Sequence, residues 1–475
     1  MKTAAIHRQR GVGTLAVVLV LFFIVSLVAA YTSRNLIFEL RTATNQYRST
    51  AALEAAEAGV GWALAQLNDG RITANCLAST QASDSTFRNL YLSFNSGPAT
   101  PGLITANYAS TAPTYQYLYP TCVLDGNAWT CSCPSNNTPT LNAPSTPGLH
   151  PAFRLYFKTV TAQSGQGQPP GLVKLYSNGC TKLDTNFATT SNTCLLFNPS
   201  SSLGPSVAAG STNEGTAGIS VLLGLTGGLA SPPVNALTAV GNINITGATG
   251  LTVNVAPGVT GPLFPNNLLP PSPYAVHTGG GTVTGVTATW LPGTPSGASI
   301  LSGDSALAAL SANPTPSANP NANLLFETTF NMGSSTFQNQ PALVVLNCGT
   351  SACTASQVRN AITLNPNRPI WVQGDLTVDS AGDIGSLTAP VLLVVSGNSL
   401  TFGSNPINIY GLVFATTTTQ LNLSGAALLR GALMAEGDIS GSSTATVSYD
   451  PDLLRLLRAT TGSFVRVPGG WQDFQ

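Results

Sequence analysis

Residues 11–33 read GVGTLAVVLVLFFIVSLVAAYTS, a run without one charged side chain. As a helix rising about 1.5 Å per residue it spans about 35 Å, enough to cross a hydrocarbon core of about 30 Å. Lys2, His7, Arg8 and Arg10 precede it, the basic flank expected on the cytoplasmic side. No helix breaker follows. The chain continues LIFELRTATNQYRSTAALEAAEAGVGWALAQLNDG, so the apolar run reads as the first half of one helix of about 55 residues. Asn68-Asp69-Gly70 closes it, because Gly accepts the left-handed conformation that ends helices.

Three readings compete for this start. A cleaved secretory signal has small residues for it at Val28-Ala29-Ala30, but the apolar run is long and no loop follows. A plain signal anchor keeps the basic residues inside and exports the rest. A prepilin leader ends its basic head at Gly11 and leaves Val12 as the new N-terminus. The basic–Gly–apolar junction and the helical continuation past the membrane favour the third.

The chain has 475 residues, more than one average domain, with a net charge of zero and only 8% charged residues. No basic surface is suggested, so binding to nucleic-acid backbones is not expected. Gly, Ser, Thr, Asn and Pro replace charge, a balance that suits an exported β-rich protein better than a cytosolic enzyme. The eight cysteines, Cys76, Cys122, Cys131, Cys133, Cys180, Cys194, Cys348 and Cys353, all follow the membrane segment. An even count on the exported side points to disulfides. Cys348–Cys353 and Cys180–Cys194 close short loops, whereas the pairing among the other four stays open. Zinc is disfavoured because Cys131-Ser132-Cys133 lacks the usual spacing and only His7, His150 and His277 exist.

In the second half of the helix Leu36, Leu40, Ala43, Tyr47, Ala51, Glu54, Ala58, Gly61 and Ala65 follow three- and four-residue steps. This mostly small stripe lets another helix or a sheet come close. Packing on the chain's own domain and packing among like helices in a fibre both fit it. Residues 71–218 alternate short apolar runs such as FRLYFKTVTA with turns, and 219–368 mix β-branched runs with Pro/Gly/Ser/Asn-rich loops. Residues 369–475 give closely spaced strands, including APVLLVVSG, NPINIYGLVFA and GALMAEGDISG, then a short helix DPDLLRLLRATTG capped by Asp450. The fold class expected is α+β: a long N-terminal transmembrane helix (membrane part 12–33), then an exported, mainly β region ending in a β-solenoid-like or sandwich domain.

No catalytic constellation stands out, and neither a cofactor nor a metal is expected. GxSxG, HExxH and phosphate-binding loops are missing, and the two exported histidines sit in loops. Asp375, Asp379 and Asp383 are the best carboxylate group. They could form a calcium site or the acid pair of a solenoid enzyme, but their Gly and Ser neighbours mark them as turn residues.

RQRGVGTLAVVLVLFFIVSLVAA and ALEAAEAGVGWAL near the start, with NIYGLVFA, GALMAEGDISG, VSYDPDLLRLL and SFVRVPGGWQDF near the end, resemble the PilX family of type IV pilus minor pilins in its large form. The resemblance covers roughly 1–70 and 370–475. It implies an inner-membrane, single-pass prepilin whose C-terminal region lies in the periplasm. Cleavage after Gly11 and methylation of Val12 then lead to incorporation in the pilus at the cell surface. It implies as partners the major pilin, other minor pilins, the assembly machinery and a tip adhesin, and it implies pilus packing by Ala16, Glu54 and Glu57. Major pilins carry Glu at the fifth mature position; here that position is Ala16, which suits a tip or low-copy subunit. The function expected is pilus assembly or tip formation without catalysis. A type II secretion minor pseudopilin and a membrane-anchored solenoid surface protein or polysaccharide-active enzyme are the alternatives.

Overall fold

With no proline before Pro98, nothing interrupts the first helix, which runs Val12–Leu67. The structure is a computed structural model that describes residues 12–95, 102–110, 116–135, 141, 144, 150–161, 169–181, 215–247, 250–255, 274–289, 296–310, 324–379, 382–403, 407–417 and 420–473. The basic head with Gly11, Cys194, and much of the low-complexity runs 196–218 and 257–323 lie outside the described residues.

Past the helix the chain builds a six-stranded antiparallel sheet. Its order is Gly462–Gln472, Thr216–Gly227, Leu172–Cys180, Ala152–Thr159, Thr121–Asp125, Ala128–Ser132. The second half of the helix lies across this sheet. Ala52, Ala56, Val60, Ala63 and Leu67 are buried there at helical spacing. Small residues on both partners bring them together. A Cβ at Gly59 would sit 2.9 Å from the Phe153 ring, and the Ser177 hydroxyl donates to the Ala56 carbonyl at 2.7 Å. Two disulfides hold the far end: Cys122–Cys131 spans a hairpin, and Cys76–Cys133 ties the segment after the helix to it. Cys180 is also disulfide-bonded.

The second unit is a solenoid. Its strands pair in parallel, coil on coil, without hairpins, so of the two expected architectures the sandwich is set aside. The apolar positions stack directly. Ile370, Leu393, Val413, Leu433, Leu237 and Val276 form one ladder through six coils, each nearly or fully buried. Each such side chain contributes about 1.5–3 kcal/mol of transfer free energy. On the smaller, seven-stranded sheet the alternate positions Thr354, Thr377, Thr401 and Ser424 stack as a hydroxyl ladder that is only half-buried. Gly411 and Gly431 face each other in register at φ 146° and 136°, a left-handed bend that a side chain would block against the backbone of the preceding coil.

The coils do not stack in chain order. Leu251–Val255 lies against Thr446–Tyr449, and Val286–Thr289 lies outside it. The chain then passes to the opposite end of the stack by way of the helices Ser305–Ala308, Leu324–Phe330 and Ser334–Gln338. It starts again at Val344–Asn347 and winds back until it meets its own first coil. Phe326, Phe330 and Phe337 of the crossing helices pack on Phe414 and Trp371, with ring centroids 5.2–6.3 Å apart. The boundary expected at 368/369 falls inside this stack, between the paired strands Val344–Asn347 and Ile370–Gln373. That expected at 218/219 falls within the strand Thr216–Gly227.

After the last coil the helix Pro451–Thr460, capped by Asp450, returns the chain to the antiparallel sheet. The strand Gly462–Gln472 pairs there with Thr216–Gly227, Gly462 opposite Gly227. The solenoid is therefore an insertion between two neighbouring strands of the sheet that carries the long helix.

Candidate assembly surface

From Gly13 to Tyr47 every residue of the long helix is exposed, so about 50 Å of helix stands clear of the folded region. Its most apolar window has a mean hydropathy of 2.8 with none of it buried. Surface of this kind is stable only in lipid or against other apolar helices. Ala16 is in this segment and exposed.

The stripe expected to pack is exposed or half-exposed throughout. Leu36, Leu40, Glu54, Gly61 and Ala65 are exposed, and Ala51 and Ala58 are half-buried. The sheet instead takes the neighbouring stripe of Ala52, Ala56, Val60, Ala63 and Leu67. One face of the helix is thus spent on the chain's own sheet, and the small-residue face remains uncovered. Glu54 and Glu57 sit on this uncovered side. With Ala58 they line an open groove of about 580 Å³ whose other wall is Arg466 and Trp471. The Arg466 guanidinium lies 5.4 Å from the Trp471 ring centre. The bulge between Arg466 and Trp471 in the last strand turns both toward the helix groove.

Asp375 and Asp383 of GDLTVDSAGDIG serve the coil. Asp375 accepts from the backbone N–H of Asn398 and Ser399 at 2.8 and 3.0 Å, bridging to the next coil. Asp383 accepts from the backbone and side chain of Asn408 at 3.2 and 3.0 Å. Among the described residues no cluster of three or more His, Cys, Asp or Glu could hold a metal. His277 pairs with Asp304 at 2.7 Å, and Asp304 also caps the helix Ser305–Ala308; this bond holds the Asp304 carboxyl below its ordinary value. His150 faces the Leu124 carbonyl at 3.3 Å. Cys348 and Cys353 form a disulfide at one end of the solenoid stack.

A joint between helix, sheet and solenoid is built on Arg88, which no motif marks. Arg88 is 2% exposed and gives its guanidinium to backbone carbonyls only. Nε and Nη2 donate to Leu67 at 3.1 and 2.9 Å, and Nη2 donates to Gly462 at 2.9 Å. Longer bonds of 3.4 Å run from Nη1 to Asn367 and Thr460. The cation thus meets carbonyls at the ends of two helices, where the helix dipoles favour positive charge. Burial, with Arg368 nearby, pushes its pKa down to about 9. The signal for it was an arginine inside the apolar segment FRNLY, in a stretch poor in charge. Glu436, in the turn after the strand Leu428–Ala435, is likewise marked by no motif. Its Oε1 accepts from the Phe326 N–H at 3.1 Å, Oε2 is buried without a partner, and burial raises its pKa to about 8.

Residues 10–60 match the family model described as PilX N-terminal. No curated protein matches the chain. Among solved structures, an ice-binding protein domain of Shewanella frigidimarina is 14% identical, covering 47% of this chain and 98% of its own, with a TM-score of 0.21. A glycosylated ice-binding protein from an Arctic yeast is 11% identical over 46% of this chain and 90% of its own, TM-score 0.20. The competence-associated pilin ComZ of Thermus thermophilus is 10% identical over 90% of this chain and 97% of its own, TM-score 0.20. At such scores the structural likenesses carry no argument.

Proposed function

We propose, from the match of residues 10–60 to the PilX N-terminal family model, that the chain is a minor pilin of a type IV pilus. In this reading the apolar helix first anchors the precursor in the inner membrane, with the β region in the periplasm. Processing after Gly11 leaves Val12 as the N-terminus, and the helix then moves from lipid into the helical core of the fibre. The observation that carries the reading is the exposed helix from Gly13 to Tyr47 within the matched segment, continued by an uncovered small-residue face through Gly61 and Ala65. Lipid or neighbouring helices supply what that surface lacks. The work is packing and binding, with other pilins and the assembly machinery as partners.

Ala16 supports a place at or near the tip. A mid-fibre subunit gains from a carboxylate that pairs with a neighbour's N-terminal amine, and an alanine makes no such pair. Ala16→Glu then puts a carboxylate where no amine meets it, at a cost of several kcal/mol or with neutralisation of the group. Immunogold labelling of sheared pili tests this placement. Label at one fibre end, with pilus number unchanged or lower in Ala16→Glu, supports it; label along the whole fibre refutes it.

A further inference from the structure

On the seven-stranded sheet of the solenoid, Leu376, Leu400, Leu423 and Ile243 are buried, so strand alternation sends the residues between them to solvent. There the hydroxyl ladder of Thr354, Thr377, Thr401 and Ser424 continues. The register of Asn422 opposite Ser440, with the bridge Gly425–Ser443, sets Ser442 beside Ser424, and Thr246 follows. A second row two residues away runs Ser399, Asn422, Ser440, Asn244, Thr284. At about 4.8 Å per strand the first row spans about 24 Å, and the rows lie about 7 Å apart. Thr246, Ser442, Asn422, Asn244 and Thr284 are exposed, and the other members are half-buried.

Charge narrows what this face can hold. Its strands contain no lysine or arginine, and their carboxylate, Asp438, accepts from the Asn242 N–H at 2.6 Å. Asp375, at the margin, is also taken up by backbone N–H groups. An ionic partner therefore meets no counter-charge here. Phe402, the aromatic residue of these strands, is 5% exposed, so the strands offer no ring on which a lone sugar chain could stack. Each Ser, Thr and Asn side chain both donates and accepts, and so suits a partner that does both. One such bond replaces a bond to water and contributes little by itself. Binding then needs many bonds made together, by a rigid partner that repeats along the rows and across them. Among the described residues no hydrogen bond engages the side chains of Thr377, Asn422, Ser424 or Ser442. The stacked coils already hold these groups in place, so little order is lost on binding.

We propose that this face adsorbs to a crystalline, uncharged polysaccharide, whose hydroxyl groups repeat along each chain and from chain to chain. The assignment does not depend on how the long helix is used.

The test is adsorption of the full chain in lipid nanodiscs to microcrystalline cellulose and to chitin powder, with empty nanodiscs as the blank. Saturable adsorption to at least one of the two is expected, and soluble cellohexaose does not displace it. Asn422→Asp together with Ser442→Asp places charge at two exposed positions of the face and weakens adsorption tenfold or more. Val345→Asp, exposed on the larger sheet, leaves it unchanged. Thermal unfolding of both variants at the wild-type temperature shows that the coils are intact. Absence of adsorption to both solids, displacement by cellohexaose, full adsorption by the doubly substituted face, or an equal loss in Val345→Asp overturns the assignment.

Discussion

The Asn68 side chain pairs with the backbone of Phe464 as a strand would: Oδ1 accepts from the Phe464 N–H at 2.7 Å, and Nδ2 donates to its carbonyl at 2.9 Å. Residues 396 positions apart thereby join the end of the long helix to the last strand. At Phe464 the helix end also covers the outer edge of that strand, where the backbone groups would otherwise lack a partner strand. The Arg88 carbonyl cluster beside it reaches on to Asn367 and Thr460, and so ties the helix end to the inserted unit.

Asn68→Ala leaves a buried N–H and a buried carbonyl of Phe464 without protein partners. The expected loss is about 2–6 kcal/mol, from roughly 1–3 kcal/mol for each of the two unsatisfied groups. Hydrogen exchange at the Phe464 amide checks the location of the damage. Faster exchange there, with the solenoid strands still protected, is the expected outcome.

Arg88→Met removes the donors for the carbonyls of Leu67 and Gly462 while keeping apolar volume. A loss of about 3 kcal/mol or more is expected, because several buried carbonyls lose charged donors together. Arg88→Lys recovers only part, since an ammonium cannot reproduce the planar fork. Denaturant midpoints of the three proteins give the ranking: wild type, then Lys, then Met.

Glu436 predicts how stability changes with pH. Its folded pKa of about 8 lies above the unfolded value near 4.3, so the folded chain holds this proton more tightly. The stabilisation is fully present below the unfolded value, falls as pH rises toward about 8, and is lost above it. Between pH 6 and pH 9 the unfolding free energy from urea titrations should fall by about 3 kcal/mol in wild type, at ~1.4 kcal/mol per pH unit up to the folded value. In Glu436→Gln that part of the difference disappears.

The disulfides differ in the loops they close. Cys76–Cys133 has a sequence separation of 57 and Cys348–Cys353 of 5. On the chain-entropy model, removing the first costs about 4 kcal/mol and the second about 2 kcal/mol. Paired Cys→Ser variants, compared by denaturant midpoint, should keep that order.

Much of this was legible from local pattern. The long helix, its end at Asn68-Asp69-Gly70, the Asp450 cap and the buried strands VLLVV and GLVFA follow from composition and periodicity. The order of the coils was not legible, because Leu237–Ala239 meets Leu428–Ala435 through packing that no local signal encodes. The same holds for the insertion, which appears only when Gly462 is found opposite Gly227. The stripe from Leu36 to Ala65 lies one face away from the stripe that the sheet takes, and of its two readings the packing on the chain's own domain falls to the neighbouring face. ALEAAEAGVGWALAQL has small residues on nearly every side, so spacing alone does not say which side meets the sheet. Arg88 and Asn68 act across distances of hundreds of residues, and a motif search sees only neighbours.

Mass spectrometry of the N-terminal peptide of this chain, recovered from sheared and purified pili, tests the central claim most directly. The account predicts that the chain is present in the fibres and begins at Val12 with a methylated amine. Absence from pili with an intact Met1 start in the membrane, or a start at Tyr31 after ordinary signal cleavage, would contradict it.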